Sequence, residues 1–225
     1  ISNTINQRFA ITPVFGAIEE GNSSRAGVGV SIGTNGVSVY EHTIDYLVTP
    51  LVFETIINDW THIAVVYINR KPNLYINGNL VKKGLRSRKN ILVPSGVFGG
   101  VEPYGFYIGC LSEIRIWETA RTELQIQSNK SKELNGNEDG LLGYWKMNEG
   151  TKAIIHDSTN NNYNGIIEGA QWNTSKSEKL SSENMNVLFT FFVPSGGVET
   201  LNRQRFYALN KKGIKCDFLY SQSGT

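Results

Sequence analysis

Trp60-Thr61-His62-Ile63-Ala64-Val65-Val66-Tyr67, followed six residues later by Leu74-Tyr75-Ile76-Asn77-Gly78-Asn79-Leu80-Val81, decides the fold. The first run is β-branched and aromatic, of strand length, and apolar on both faces, the pattern of a strand covered on both sides. Pro72 and Asn73 mark its expected end. In the second run Leu74 and Ile76 alternate with Tyr75 and Asn77, as in a half-buried strand. Asn77-Gly78 supplies the two positive-φ positions of a tight hairpin, so Leu80-Val81 is expected to return antiparallel.

Working outward, residues 1–57 repeat this grammar. Phe9-Ala10-Ile11 is a short strand ended by Pro13. Val28, Val30 and Ile32 alternate with Gly29 and Ser31, Thr34-Asn35-Gly36 makes a hairpin turn, and Val37 and Val39 alternate with Ser38, Tyr40 and His42. Leu51-Val52-Phe53 follows Pro50. Strands at this spacing, broken by Gly, Pro and Asn, predict an antiparallel sandwich or jelly roll. The segment Arg86–Pro103 carries Pro94, Gly96, Gly99, Gly100 and Pro103, and reads as a long binding loop. Phe106–Gly109 and Leu111–Trp117 resume the strands. Thr122 with Gln125 forms a capping box that opens one helix, expected over Glu123–Leu134.

Composition narrows the function classes. The chain has 225 residues, 40% of them hydrophobic and 19% charged, with a net charge of +2. That balance gives no electrostatic case for nucleic acid or an anionic membrane, and no apolar run approaches the ~20 residues of a membrane span. Cys110 and Cys216 lie far apart, which argues against a disulfide framework and favours a reducing compartment. A start at Ile1 and an end at Thr225 suggest a piece of a longer protein.

Four linked segments resemble the laminin-G/pentraxin-like, concanavalin A-like jelly rolls. They are Trp60-x-His62-φ with Leu74-Tyr75-φ-Asn77-Gly78; Glu113-φ-Arg115-φ-Trp117 with Ala120-Arg121-Thr122; Gly140-Leu141-Leu142-Gly143-Tyr144-Trp145-Lys146-Met147-Asn148-Glu149-Gly150; and Asp157-Ser158 with Asn164-Gly165, Gly169-Ala170 and Trp172. The resemblance covers roughly residues 5 to 172 and implies a mainly β sandwich. It makes Trp60, Trp117, Trp145 and Trp172 core residues, and places the family's usual first strand before Ile1.

Residues 173–186 are polar and read as a linker. Val187–Val193 is a continuous apolar strand of the kind found in parallel sheets. Pro194–Glu199 is a glycine turn, Thr200–Lys212 an amphipathic helix ended by Gly213, and Ile214–Tyr220 a second strand. This β-α-β pattern resembles the start of a retaining, family 4 type glycosyltransferase with two Rossmann domains. The expected organisation is therefore a jelly roll over 1–172, a linker over 173–186, and a truncated Rossmann-like fragment over 187–225. Gly196 and Gly197 would meet a phosphate or acceptor hydroxyl at a helix N-terminus. A sugar nucleotide could bind only the full-length enzyme.

Candidate ligand groups are few. Sugars are held by aromatic faces and by amide or charged hydrogen-bonding groups. If Val37 and Val39 face the core, Ser38, Tyr40 and His42 point outward together, with Asn35, Arg86 and Tyr104 as a rim. These six are the expected glycan contacts; the alternative is a plain solvated strand face. His62 is expected in the buried sheet, hydrogen-bonded. The resemblance also implies calcium, with Asp157, Asn160 and Asn164 as candidate oxygen ligands. In many relatives an Asp that helps hold the ion stands where this chain has Ser112. Hydrolysis is disfavoured, because Glu41 and Asp45 share a strand face about 13 Å apart and no closer carboxylate pair is evident.

The resulting expectation is a carbohydrate-binding module of a larger glycosyltransferase, presenting a glycan or glycoprotein acceptor, with no catalysis by this fragment itself. A protein-interaction or architectural jelly roll is the alternative. The cysteines favour the cytoplasm, against an extracellular site for most such folds.

Overall fold

The computed structural model describes residues 8–13, 24–43, 46–100, 105–151, 153–172 and 185–192. Two sheets face each other. The first is built from β1 (Arg8–Ile11), β2 (Arg25–Gly33), β3 (Gly36–Thr43) and β4 (Tyr46–Glu54), antiparallel in that order. The second opens with β5 (Thr61–Ile68), β6 (Lys71–Ile76) and β7 (Asn79–Lys83), the run that decides the fold. Then β8 (Ile91–Pro94) returns to the first sheet, parallel to β2. The second sheet gains β9 (Gly109–Trp117) and, after helix α1 (Glu123–Asn129), β10 (Leu141–Trp145). A small ribbon, β11 (Ile154–Ile155) with β12 (Gly165–Ile166), follows, and β13 (Met185–Phe192) completes the second sheet in the order β10-β9-β13-β5-β6-β7.

The core lies between the sheets. Val28, Val30, Ile32, Val37, Val39 and Leu51 pack against Ile63, Val65, Tyr67, Leu74, Ile114, Ile116 and Trp145. A second cluster covers the opposite face of the second sheet, where Ala64, Val66, Tyr75, Trp117 and Tyr144 meet Ile126 of α1, Leu134 and Leu141. The strand apolar on both faces is thus buried on both faces, as its sequence predicts.

Both hairpin turns use left-handed residues. Asn77 (φ 50°) and Gly78 (φ 87°) turn β6 into β7 as expected. The break between β5 and β6 falls earlier than Pro72-Asn73. Asn69 (φ 50°) and Arg70 (φ 64°) make the turn, and Pro72 sits inside β6 opposite Tyr67. Asn69 is the residue type that most readily accepts that conformation.

Two further expectations change. The expected loop Arg86–Pro103 is not open over its described part, residues 86–100, because Ile91-Leu92-Val93 lies in β8, while Ser95 N–H, Val97 C=O and Gly99 N–H bond to Val28, Thr12 and Ala10. The β-branched run outweighed the flanking Gly and Pro. The helix stops at Asn129 instead of Leu134, although its capping box is formed as read. Arg115, 2% exposed, is the cause: its guanidinium donates to Asn129 O at 2.9 Å and to Lys132 O, and it pairs with Glu113 at 2.6 Å. These carbonyls are drawn to the guanidinium instead of continuing the helical ladder.

The strand expected over Val187–Val193 runs from Met185 to Phe192, taking in the last two residues of the expected linker, and lies parallel to both its neighbours, β5 and β9. Those neighbours belong to the jelly roll; the expected partner strand, Ile214–Tyr220, lies outside the described residues. So do Pro194–Glu199, the helix of 200–212 and the linker through residue 184. Without β13 the facing edges of β5 and β9 lose their ladder partners, an exposure that open sheets tolerate poorly. A chain cut after Trp172 is expected to melt at least several degrees below the 225-residue chain, or to aggregate. Equal melting temperatures by circular dichroism would show that β13 belongs to a separate unit.

Candidate functional site

The outer face of β3 carries the expected glycan contacts, and the structure places them unevenly. Val37 and Val39 face the core as read. Ser38, on the opposite face, is nonetheless only 2% exposed. Tyr40 is half-buried, its ring meeting Phe9 edge-on at 5.1 Å. His42 Nδ1 lies 3.0 Å from Pro13 O. Pro13 crosses this face directly over Gly29, where an added Cβ would sit 2.7 Å from Ile11 O and closer still to the Pro13 ring. A chain segment therefore already lies on the strip between Gly29, Tyr40 and His42.

The rim residues do not surround one site. Asn35 forms the β2–β3 turn, its carbonyl accepting Thr55 N–H at 3.2 Å and its Oδ1 buried. Arg86 is exposed next to Ser87, whose hydroxyl donates to Glu41. Asn35 and Glu41 are separated by about 20 Å of strand. Tyr104, Gly196 and Gly197 lie outside the described residues.

Glu41, weighed in the sequence only as a distant carboxylate partner of Asp45, has another role. It is fully buried on the core face, where its carboxyl accepts Ser87 Oγ at 2.6 Å and Tyr67 Oη at 3.2 Å. The alternation of β3 contains the signal, since position 41 shares the face of Val37 and Val39. The arrangement joins the two sheets, which is a structural task.

The candidate calcium residues are occupied by the chain. Asp157 Oδ1 accepts Tyr144 N–H at 2.9 Å and Thr159 N–H at 3.0 Å; Oδ2 accepts Thr159 Oγ1 at 2.7 Å and Tyr163 N–H at 3.0 Å. A carboxylate has about four acceptor positions, and all are used. Asn164 Oδ1 accepts Asp157 N–H at 2.9 Å, and the carbonyl of Asn160 accepts Asn162 Nδ2 at 3.2 Å. Ser112 brings no charge and donates its hydroxyl to Lys146 O at 3.2 Å. Among the described residues no group of three or more His, Cys, Asp or Glu side chains could hold a metal. These residues do not fit a calcium ion; they fit a knot that pins 157–164 against β10.

Across the second sheet, a small cleft lies under α1, lined by His62, Arg115, Trp117, Arg121 and Lys130 among others. Its cations are committed to the protein: Arg115 as above, Arg121 stacked 4.0 Å over Trp117, and Lys130 Nζ on Asn77 O at 2.8 Å. Burial first, then the charges of Arg115 and Lys130, depress the His62 pKa to about 3. His62 is thus a neutral histidine, placed in the buried sheet as expected. Its backbone N–H and C=O bond Asn77, tying the hairpin turn to β5.

Trp60 departs from the core role implied for it. Trp117 and Trp145 are buried at 1% and 2%, but Trp60 is 51% exposed. It ends the loop between β4 and β5, beside exposed Asn58 and Asp59 and beyond Ile56, which is 81% exposed. Asp59 Oδ1 accepts Trp60 N–H at 2.7 Å. The polar pair ahead of Trp60 is the sequence signal that the strand starts only at Thr61.

Two facing, largely antiparallel sheets around one core, with a helix and loops capping one outer face, define a lectin-type β-sandwich module. The sequence profile of the concanavalin A-like lectin/glucanases superfamily matches residues 13–127, which is 115 of the 225 residues, and the chain belongs to that superfamily. A solved structure from Bacteroides ovatus, named provisionally as a carbohydrate binding protein, aligns with a TM-score of 0.47 at 20% identity. The alignment covers 76% of this chain and 50% of that one, so the chain spans about half the length of that protein. No curated protein matches the chain. No helix among the described residues is long and apolar enough to cross a membrane.

Two outcomes follow from these placements. Asp157→Asn would put an amide among four donors and is expected to cost about 2 to 4 kcal/mol in chemical denaturation, while calcium or EDTA leaves the wild-type midpoint unchanged. A calcium-dependent midpoint would contradict the assignment. For His62, the unfolded chain takes up a proton below its ordinary pKa of 6.5 that the folded chain refuses until about 3. Stability therefore falls as pH drops through that window, by about 2 kcal/mol at pH 5 from this group. His62→Gln should lose that share of the difference between pH 7.5 and pH 5; an unchanged pH dependence would mean His62 is protonated in the fold.

Proposed function

We propose that this jelly roll is a glycan-binding module. Membership of the lectin/glucanase superfamily over residues 13–127 carries the reading. The absence of a close carboxylate pair on the described strands favours binding over hydrolysis within that superfamily: Glu41 is spent inside the core on Ser87 and Tyr67. The near-neutral charge suits a neutral ligand better than a polyanion. A glycan or glycoprotein is then the partner, held by exposed aromatic and amide groups.

The finer reading is that the module belongs to a longer, sugar-nucleotide-dependent glycosyltransferase and holds its acceptor close to the active site, raising its local concentration. Its support is in the sequence alone, the Gly196-Gly197 pair and the β-α-β pattern expected over 187–220. The pairing of Met185–Phe192 with β5 and β9 counts against that strand opening the second domain. Transferase activity with a sugar nucleotide in a chain extended beyond Thr225 tests this part separately.

For binding, the 225-residue chain is screened on a glycan array and confirmed by calorimetry. Saturable binding at micromolar to millimolar Kd is expected, the range of a single shallow site. No binding to any glycan, together with a protein partner recovered at stoichiometric amounts, would replace this reading with an interaction module.

A further inference from the structure

Glu54 to Trp60 crosses from the first sheet to the second at one end of the sandwich. A loop with this composition could collapse onto the core, yet only Ile57 does so, at 2% exposure. Its N–H donates to Thr34 O at 2.9 Å, and Thr55 N–H donates to Asn35 O at 3.2 Å. The neighbouring β2–β3 turn thus holds the loop in place from one side. From the other, Asp59 Oδ1 accepts Trp60 N–H, and Asp59 O accepts Thr61 Oγ1 at 2.8 Å. The backbone is fixed at both ends, and the side chains flanking the Ile57 plug stay in water. Ile56 is 81% exposed and Trp60 51% exposed, with Asn58 and Asp59 exposed between them.

We propose that Trp60 is the stacking platform of a carbohydrate subsite, with Asn58 and Asp59 as its hydroxyl-binding rim and Ile56 as its apolar margin. The proposal rests on the glycan-binding reading above and moves the site from the β3 face to this loop. Three features favour a sugar as the occupant. A pyranose presents one face of C–H bonds to an aromatic ring and a belt of hydroxyls to amide and carboxylate groups. Here an exposed indole stands directly beside an amide and a carboxylate whose Oδ2 accepts no bond from the described residues. The exposed half of the indole offers on the order of 100 Å² of contact, the footprint of one sugar ring. A loop already tied down loses little conformational freedom when the sugar arrives. By contrast, the β3 face is crossed by Pro13, and Ser38 there is 2% exposed. An exposed tryptophan beside a single isoleucine is small for a protein interface, whose specific forms bury about 800 Å² per partner.

The test uses the full 225-residue chain with gluco-, galacto-, manno- and xylo-oligosaccharides of four to six units. Acrylamide quenching of tryptophan fluorescence is measured with and without each sugar, and Kd by calorimetry. A sugar that binds is expected to shield the exposed tryptophan emission. Trp60→Ala should weaken its binding at least tenfold, Trp60→Phe less, and Asp59→Asn by a smaller factor, while Tyr40→Ala leaves Kd within twofold. The wild-type shielding is read without any variant, so poor folding of Trp60→Ala does not decide the matter. Binding by the wild type with no shielding, or with Kd unchanged in both Trp60 variants, overturns this site and leaves the glycan-binding reading standing. No binding of any sugar by the wild type overturns both.

Discussion

Burial of Thr61–Ile68 on both faces is the constraint to which the other elements answer. Ile63, Val65 and Tyr67 need a partner sheet, and β2, β3 and β4 supply it with Val28, Val30, Val37, Val39 and Leu51. Ala64 and Val66 need a second cover, which α1 and the chain after it provide through Ile126 and Leu134. That cover is held down by Arg115, a buried charge compensated by Glu113 and two carbonyls, with its guanidinium 5.1 Å from the Tyr144 ring. Removing one partner of such a group typically costs about 3 to 5 kcal/mol, so the cation acts as a tether that permits no half-measures. The dryness it maintains keeps His62 neutral, and burial together with the bond to Glu113 pushes the Tyr144 hydroxyl up to about 12.

Much of this fold was legible because its signals are local. Asn77-Gly78 announces its own turn, Thr122 with Gln125 its own cap, and the alternation of Val37 and Val39 its own inward face. What was not legible depended on distant partners. Nothing near Leu134 reveals that Arg115 will take the carbonyls of Asn129 and Lys132 and end the helix early. Nothing near Gly96 reveals that Ile91–Pro94 will pair with β2. Pro72 reads as a breaker, yet it stands as the second residue of β6 opposite Tyr67, where its carbonyl still accepts Gly84 N–H at 2.7 Å.

The candidate site was less legible than the fold, for a related reason. Ser38, Tyr40 and His42 do share a face, as a period of two dictates, but whether a face is open depends on what crosses it. Here Pro13 does. Asp157 has the chemistry of a metal ligand, and only the surrounding N–H groups of Tyr144, Thr159 and Tyr163 reveal that its capacity is spent. Trp60 went the other way: a motif position implied to be core stands half in water, one residue before the strand begins at Thr61. The loop between β4 and β5, tied to the β2–β3 turn, is where the sandwich offers aromatic surface beside polar groups.

The most direct measurement is a titration of the isotope-labelled chain with a binding oligosaccharide, followed through its four indole N–H resonances. The Trp60 resonance is expected to move and saturate with the ligand while those of Trp117 and Trp145 stay in place. Saturable binding that leaves Trp60 unmoved, with shifts on Tyr40 and His42 instead, would contradict it.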